Sequence, residues 1–313
     1  MVDMRLCRVC GKVRSAVLVS IVALLACQTA IAGTFEAANS QEVRRIRGKI
    51  RAAQVLSKAT FGPTQADIDT LGNRIAQIGY RRACNEWLDS QFLLPASSHR
   101  EKIYEIFAAD SPRLPTDTGG VNRVRYQAWW DIAIRAPDQL RQKVAWAMSQ
   151  IFVTSDQGTG FNNRDPDFSG FPGWYGPTNY YDDVLVDNAF GSYRDLLHDM
   201  TYSPVMGTYL SHLKNRKADV PNQRFPDENY AREIMQLFSI GLYKLEKDGR
   251  LERTLEGELI PSYGNEEIKT LARLFTGFKY NNNNNNIYGP LNLNAPMEIW
   301  AGDHDNNIGY SED

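Results

Sequence analysis

The chain has only four cysteines and four histidines among its 313 residues. Cys7, Cys10 and Cys27 lie within the first 32 residues, which leaves Cys84 as the single cysteine of the remainder. One cysteine cannot form an intrachain disulfide, so a disulfide-stabilised scaffold is excluded for residues 33–313. Cys7 and Cys10 have the spacing of half a zinc site, but no second pair accompanies them, and we interpret the spacing as chance.

Several catalytic signatures are also absent. The sequence has no His-Glu-x-x-His zinc helix, no Gly-x-Ser-x-Gly nucleophile elbow, no Walker loop and no Gly-rich dinucleotide fingerprint. These absences count against the common hydrolase, kinase and dehydrogenase classes, and no cofactor is indicated. The formal net charge is −2, from 35 basic and 37 acidic residues. A weakly negative chain argues against a nucleic-acid partner.

The first 32 residues have the three parts of an export signal. Four basic side chains precede an apolar run at 16–26, and Ala30-Ile31-Ala32 before Gly33 fits the small-x-small cleavage rule. A membrane span needs about 20 apolar residues, so this run is too short, and no later segment approaches that length. We therefore expect cleavage after residue 32, and export of residues 33–313 without a transmembrane segment to the periplasm, cell surface or extracellular space.

A second interpretation of the leader stays open. Leu24-Leu25-Ala26-Cys27 is similar to a lipoprotein box, in which a lipid on Cys27 would tether the protein to a membrane. Leu25 is unusual at its position in such a box. Cleavage after Ala32 is therefore the favoured prediction.

Apolar residues recur with helical spacing through most of the chain after residue 44. Glycine, proline and capping residues separate the periodic segments, as is typical of short connections between helices. One charged segment, 244–262, is an exception, because Lys247-Asp248-Gly249 is typical of a hairpin turn. The pattern predicts a mainly α-helical fold. We expect one multi-helix, orthogonal or bundle-like domain over residues 33–313, with long loops and little or no β-sheet.

The most informative segment begins at Arg224 and ends at Gly241. At about 100° per residue, it predicts a helix with one apolar face and one polar face. The apolar face contains Tyr230, Ile234, Leu237 and Phe238, and the polar face contains Glu228, Asn229, Arg232 and Gln236. Asp227 is the predicted N-cap and Gly241 the predicted C-terminal stop.

Polar residues concentrate before and within this helix, and we predict a polar site there. The catalytic candidates are Asp227, Glu228, Arg232 and Glu233, and the substrate-binding candidates are Asn215, Arg216, Lys217 and Asn229. A helix N-terminus with basic, acidic and amide groups is suited to binding an anion or supporting a metal-assisted reaction. This arrangement favours an exported hydrolase as the first functional hypothesis. In the structural alternative, Arg232 pairs with Glu228, Glu233 pairs with an arginine of another helix, and Asp227 only caps.

His304 and Asp305 are the candidate metal ligands. A histidine beside a carboxylate can serve as a ligand or as a positioned base. Two adjacent side chains rarely bind one ion together, so we expect Asp227 or Glu228 to supply further ligands. The alternative is a surface histidine near a ragged end, because the last segment has no terminating element and the chain looks incomplete at its C-terminus.

The second functional hypothesis is a non-catalytic extracytoplasmic binding or cell-surface assembly protein. It uses the aromatic loop 161–175, in which aromatic rings alternate with Gly, Asn and Asp. Flat rings among polar groups can stack on and hydrogen-bond a polymer or cell-surface ligand, and Trp174 and Tyr175 are the candidate contacts. The alternative is that these rings fold back onto the domain. No protein partner is indicated by the sequence.

Five segments, in order along the chain, together resemble the bacterial family catalogued as domain of unknown function 1800. They are Ala53 to Pro63, Leu140 to Val153, Asn188 to Leu197, Arg224 to Gly241 and Leu271 to Gly277. The resemblance implies an exported, mainly helical protein of unestablished activity and a chain longer than this one. Some relatives have Trp-His-x-His-Phe where this chain has Met148-Ser149-Gln150-Ile151-Phe152. If those histidines bind a metal, Ser149 and Ile151 cannot do so here.

Overall fold

The structure is a computed structural model that describes residues 41–110, 118–155, 175–282, 285–289 and 291–306. Within these ranges the chain forms 11 α-helices, a π-helix, a short 3-10 helix and one two-stranded sheet. The predicted mainly α-helical fold with little β-sheet is confirmed. The predicted signal peptide, residues 1–32, and most of the aromatic loop 161–175 lie outside the described residues.

The helices are numbered in chain order. They are α1 Gln41–Ala59, α2 Gln65–Ile78, α3 Tyr80–Phe92, α4 His99–Asp110, α5 Thr118–Arg135, α6 Gln139–Ser149, α7 Tyr175–Asn179, α8 Tyr193–Tyr202, α9 Pro204–Tyr209, α10 Asn229–Gln236 and α11 Asn265–Leu274. The π-helix Tyr180–Val186 continues α7, and Val220–Asn222 is the 3-10 helix. Strands β1 (Phe278–Lys279) and β2 (Glu298–Ile299) pair antiparallel.

Helices α1 and α2 form the N-terminal layer of the described chain. The start of α2 is fixed by a reciprocal capping box between Thr64 and Asp67, as the sequence pattern predicts. The two helices cross at Gly48 and Gly72, where a Cβ on Gly48 would lie 2.2 Å from the Gly72 carbonyl oxygen. Only a residue without a side chain allows the backbones to approach so closely.

The largest core lies between α6, the π-helix and helices α8 to α10. Its fully buried members include Phe152, Leu185, Met200, Met206 and Tyr230. Burial of each such side chain contributes about 1.5 to 3 kcal/mol relative to exposure. Helix α10 is therefore held to the domain by its apolar face, which leaves its polar face and its entrance to form a site.

The structure corrects the predicted bounds of α10. Glu228, and not Asp227, occupies the N-cap position, and the helix ends at Gln236 instead of reaching Gly241. Leu237 was predicted to share the buried face, but 59% of its surface is exposed. The 100° projection applies only within a helix, so it fails at Leu237, where the helix has already ended.

The segment 242–262 folds into three short extended strands, of which the predicted hairpin is only the first pair. Leu245 pairs with Leu251, Arg253 with Leu259, and Tyr243 with Pro261, so that each strand contacts the other two. Backbone hydrogen bonds close the triangle from Lys244 to Ile260, from Ile260 to Glu252 and from Glu252 to Lys244. Three glycines with positive φ recur at intervals of eight residues: Gly241, Gly249 and Gly257, with φ of 75°, 85° and 87°. Gly249 and Gly257 lie in the turns between strands, and Gly241 precedes the first strand.

Candidate functional site

Four segments meet at one place, which we name the polar junction: loop 212–217, the α10 entrance 227–229, and the turns 275–277 and 300–305. Asn215 connects the first three. Its Oδ1 accepts from the Asp227 N–H (2.8 Å), its Nδ2 donates to the Phe275 carbonyl (3.1 Å), and its own carbonyl accepts from the Gly277 N–H (2.7 Å). Asn215 is buried, so these hydrogen bonds give it a structural role, and its role in binding substrate stays a prediction.

The turn 300–305 approaches the junction at Gly277. A Cβ there would lie 2.8 Å from both His304 Cβ and the Trp300 carbonyl oxygen, and the φ of Gly277 is +81°. Glycine is required here because a Cβ would clash and because other residues rarely adopt this positive φ. This close approach places His304 beside the turn 275–277, which Asn215 also contacts.

Arg216 and Lys217 anchor the turn 300–305. The Arg216 Nε donates to Asp303 Oδ1 at 2.6 Å, and the Lys217 backbone N–H donates to the Asp303 carbonyl at 2.8 Å. The hydrogen bond to Asp303 raises the pKa of Arg216. A guanidinium already paired with a carboxylate is a weaker recognition group for an anionic substrate, because the carboxylate offsets its charge.

The acids of the α10 entrance also have local partners. Glu228 accepts from Arg232 at 3.1 Å across one helical turn, which is the pair that the structural alternative predicted. Both side chains are more than a third exposed, so the pair contributes only about 0.3 to 0.5 kcal/mol. Asp227 Oδ1 accepts from the Asn229 backbone N–H at 2.8 Å, and it remains exposed.

Glu233 has a buried carboxylate oxygen, and its catalytic role stays a prediction. The structural alternative expected an arginine partner from another helix, but its Oε2 is buried and has no hydrogen-bond partner within the described chain. A shallow groove of about 360 Å³ runs between α10 and α11, and its lining includes Met235, Glu267 and Leu271 but not Glu233. No described contact gives Glu233 a reacting partner.

His304 is the best-positioned base of the junction. Its Nδ1 lies 2.7 Å from the Thr276 carbonyl oxygen, which can only accept, so in the neutral ring Nδ1 carries the proton and Nε2 the lone pair. The Asp305 carboxylate instead accepts from Arg273 Nε at 2.6 Å. Its backbone N–H donates to Thr276 Oγ1 at 2.9 Å. The neighbouring carboxylate is therefore an ion-pair partner of an arginine and not the orienting group of the histidine.

The predicted metal role of His304 and Asp305 requires further ligands. Among the described residues, no three His, Cys, Asp or Glu side chains lie close enough together to hold a metal ion. The guanidinium of Arg273 beside Asp305 also opposes a second cation. Metal binding by this pair stays a prediction.

A buried histidine that carried no sequence motif stabilises the base of the junction. His212 Nε2 donates to the Thr201 carbonyl at 2.9 Å, and its ring stacks on Tyr230 with centroids 3.9 Å apart. Thr201 Oγ1 donates to the Leu197 carbonyl, so it accepts from the Tyr230 hydroxyl at 2.6 Å. Burial lowers the pKa of His212 to about 4. The ring is therefore neutral and structural near pH 7.

A second buried histidine, His99, caps a helix together with a carboxylate. Asp182, on the π-helix, accepts from His99 Nδ1 at 2.7 Å and from the backbone N–H groups of His99 and Arg100 at the start of α4. Burial acts to raise the pKa of Asp182, but the hydrogen bonds from His99 and these N–H groups outweigh it and lower the pKa. This arrangement secures α4 to the π-helix.

Of the two predicted aromatic contacts, Trp174 lies outside the described residues. Tyr175 is the first residue of α7, and its side chain also lies outside the description. The loop 161–175 therefore contributes no described contact.

A different group of rings forms an exposed cluster that the sequence interpretation missed. We name Phe61, Trp129, Trp130 and Trp146 the aromatic patch. Ring centroids lie 4.9 Å apart for Trp130 and Trp129, 5.5 Å for Trp129 and Phe61, and 6.0 Å for Phe61 and Trp146. Trp130 is 60% exposed and Trp146 is 36% exposed. The patch is continuous across the Phe61 turn, α5 and α6.

The sequence of α5 contains the pattern that indicates this patch, because the helix has two apolar stripes. Val124, Ala128 and Ile132 form the buried stripe, and Tyr126, Trp130 and Ile134 form a stripe that is exposed along its whole length. Each stripe repeats every four residues, so both fit a core-facing helix surface. Only the tertiary structure shows which one the domain covers.

A family model described as "Protein of unknown function (DUF1800)" matches residues 54–307. The chain belongs to the DUF1800 family. No curated protein and no solved structure matches this DUF1800 chain. Within the part that the structure describes, no helix is long and apolar enough to cross a membrane.

Ser149 is the last residue of α6 in this DUF1800 protein, and Ile151 follows two residues later. Ser149 donates its hydroxyl hydrogen to the Trp146 carbonyl at 2.7 Å, and Ile151 is largely exposed. Neither side chain offers a metal ligand of the imidazole type. In this chain the end of α6 presents rings and an aliphatic side chain instead.

Proposed function

We propose that this DUF1800 protein is an exported, non-catalytic protein that binds a saccharide polymer through the aromatic patch. Export is supported by the leader, with its basic start, apolar run and Ala30-Ile31-Ala32 cleavage site. Recovery of the full-length chain only in the cytoplasm would contradict export. Non-catalytic binding is supported by the exposed rings and by the ion pairs that Glu228, Asp303 and Asp305 form with arginines at the polar junction.

The exposure of Trp130 is the observation that carries the binding proposal. Scattered single apolar side chains on a surface need no explanation, but contiguous exposed rings indicate an interaction site. A ring face can cover the C–H face of a pyranose, and an indole N–H can donate to its hydroxyl groups. Tyr126 extends the same exposed face by one helical turn, about 6 Å along α5.

We expect Trp130→Ala to weaken binding to a polysaccharide by about tenfold, which corresponds to about 1.4 kcal/mol. The reason is the loss of the ring surface that the sugar would cover. Binding is measured by co-sedimentation with a panel of insoluble polysaccharides and by titration with soluble fragments. Phe225→Ala is the matched control, because Phe225 is a similarly exposed ring, at 68%, outside the patch. Equal binding by wild type and Trp130→Ala would contradict the proposal.

A second candidate function, a hydrolase with His304 as general base, is supported by the fixed tautomer of that histidine. Its Nε2 lone pair is the one positioned to accept a proton, since Nδ1 donates to Thr276. Asp227, exposed and connected to the same junction through Asn215, is the available acid.

His304→Asn separates this hydrolase candidate from the binding function. The asparagine amide can still donate to the Thr276 carbonyl, whereas the Nε2 lone pair is lost. We expect any turnover of chromogenic ester, phosphate or glycoside substrates to fall by about 100-fold or more. If His304→Asn turns over substrate as fast as the wild type, or if the wild type turns over no substrate of the panel, the hydrolase candidate is ruled out.

A further inference from the structure

Lys143, on α6, is a cation held against the aromatic patch. Its Nζ lies 4.7 Å from the centroid of Phe61 and 4.6 Å from that of Trp146. Within the described chain no carboxylate pairs with Lys143, although Lys49, Lys102 and Lys279 each have an acidic partner. The ring faces stabilise the ammonium group without neutralising its charge.

The sequence segment that contains Lys143 has more basic than acidic residues, in a chain whose net charge is negative. The segment 118–149 contains two acids, and both are engaged. Asp131 pairs with Lys102 and Arg135, and Asp138 is buried and accepts from Ser97. The basic residues of the same segment are Arg123, Arg125, Arg135, Arg141 and Lys143. A second cation lies on the exposed stripe itself, since the Arg125 guanidinium is 5.1 Å from the Tyr126 ring centroid.

The two ends of the patch therefore differ. No described cation lies over the exposed ring of Trp130, which leaves that ring as an uncharged stacking surface. Trp146, at the other end, carries the ammonium of Lys143. A ligand that is complementary to the whole patch therefore has a flat apolar face for Trp130 and an anionic group for Lys143.

We propose that the ligand is a polymer of carboxylated pyranoses, in which Trp130 stacks on the sugar and Lys143 binds the uronate carboxylate. This inference rests on the proposed saccharide-binding function. The carboxylate supplies the charge partner that Lys143 lacks, and the charge-assisted hydrogen bond adds selectivity to stacking, which is insensitive to charge.

Polygalacturonate and its methyl-esterified form test the inference, because they share a backbone and differ in charge. We expect the wild type to bind polygalacturonate about tenfold or more tighter than the ester. Lys143→Met, which keeps an apolar stem over the rings, should abolish this preference, and Lys143→Arg should retain it. Trp130→Ala should weaken binding to both polymers. Thermal melting establishes that each variant is folded.

The other outcomes separate the inference from the function on which it rests. If the wild type binds both polymers equally, or if Lys143→Met keeps the preference, the inference is wrong while saccharide binding stands. If polyglutamate competes as well as polygalacturonate, charge alone explains binding and the inference is overturned. If the wild type binds neither these polymers nor any neutral polysaccharide, the proposed function fails as well.

Discussion

Asn215→Ala is expected to lower the free energy of unfolding by about 2 to 4 kcal/mol. The side chain accepts from the Asp227 N–H and donates to the carbonyls of Asp227 and Phe275. Each bond contributes about 1 kcal/mol net, and each buried group left without a partner costs about 1 to 3 kcal/mol. Urea unfolding monitored by circular dichroism measures the change.

Two control variants separate this network from generic effects of mutation. Asn215→Asp places a buried carboxylate oxygen against the carbonyl oxygens of Asp227 and Phe275, so we expect a loss at least as large as that of Asn215→Ala. Asn229→Ala removes an exposed amide whose contact with Ser211 is 3.5 Å, and it should change stability by less than about 0.5 kcal/mol. If Asn215→Ala is as stable as Asn229→Ala, then Asn215 does not hold the junction together.

Acidification from pH 6.5 to pH 4 is expected to remove about 3 kcal/mol of stability through His212 alone. The folded-state pKa of His212 is about 4, whereas the unfolded value is 6.5. The folded state therefore favours the neutral ring, and its contribution is fully present above pH 6.5 and is lost as the pH falls through this window. A shift of one pKa unit corresponds to about 1.36 kcal/mol.

His212→Phe isolates this effect, because it keeps a ring against Tyr230 and removes the titrating group. We expect the variant to be less stable than the wild type at pH 7, by about 1 kcal/mol for the lost hydrogen bond to Thr201. Its stability should then fall less steeply than that of the wild type between pH 6.5 and pH 4. Parallel pH dependence in the two proteins would contradict the burial of a neutral imidazole.

The helical part of the fold could be predicted because its determinants are local. The two residues of the capping box, Thr64 and Asp67, are three positions apart, and an apolar stripe repeats every three or four positions. In the three-stranded segment 242–262, the sequence pattern predicted only the first turn. Its closing contact joins Tyr243 to Pro261, and nothing near either residue specifies that pairing.

The candidate site was located by proximity in sequence, but the roles of its residues depend on distant partners. Asn215 binds Phe275, 60 residues away, and Arg216 binds Asp303, 87 residues away. Sequence spacing indicates that such groups are present, yet it cannot show that they already satisfy one another. The Glu228–Arg232 pair was predictable because it lies within one helical turn.

The aromatic patch could not be predicted from residues that are close in sequence. Trp129 and Trp130 are adjacent, Phe61 follows a helix end and Trp146 belongs to another helix, so their contact is a property of the tertiary fold. The exposed stripe of α5 repeats with the same period as its buried stripe. Binding by this patch is the central claim about function.

Indole N–H signals in NMR spectra provide the most direct measurement of that claim. The chain has six tryptophans, and single Trp→Phe variants assign their signals. On titration with a polygalacturonate fragment, the signals of Trp130 and Trp146 should shift with saturation, while those of Trp87 and Trp300, outside the patch, should not. Unchanged Trp130 and Trp146 signals in the presence of bound fragment would contradict the account.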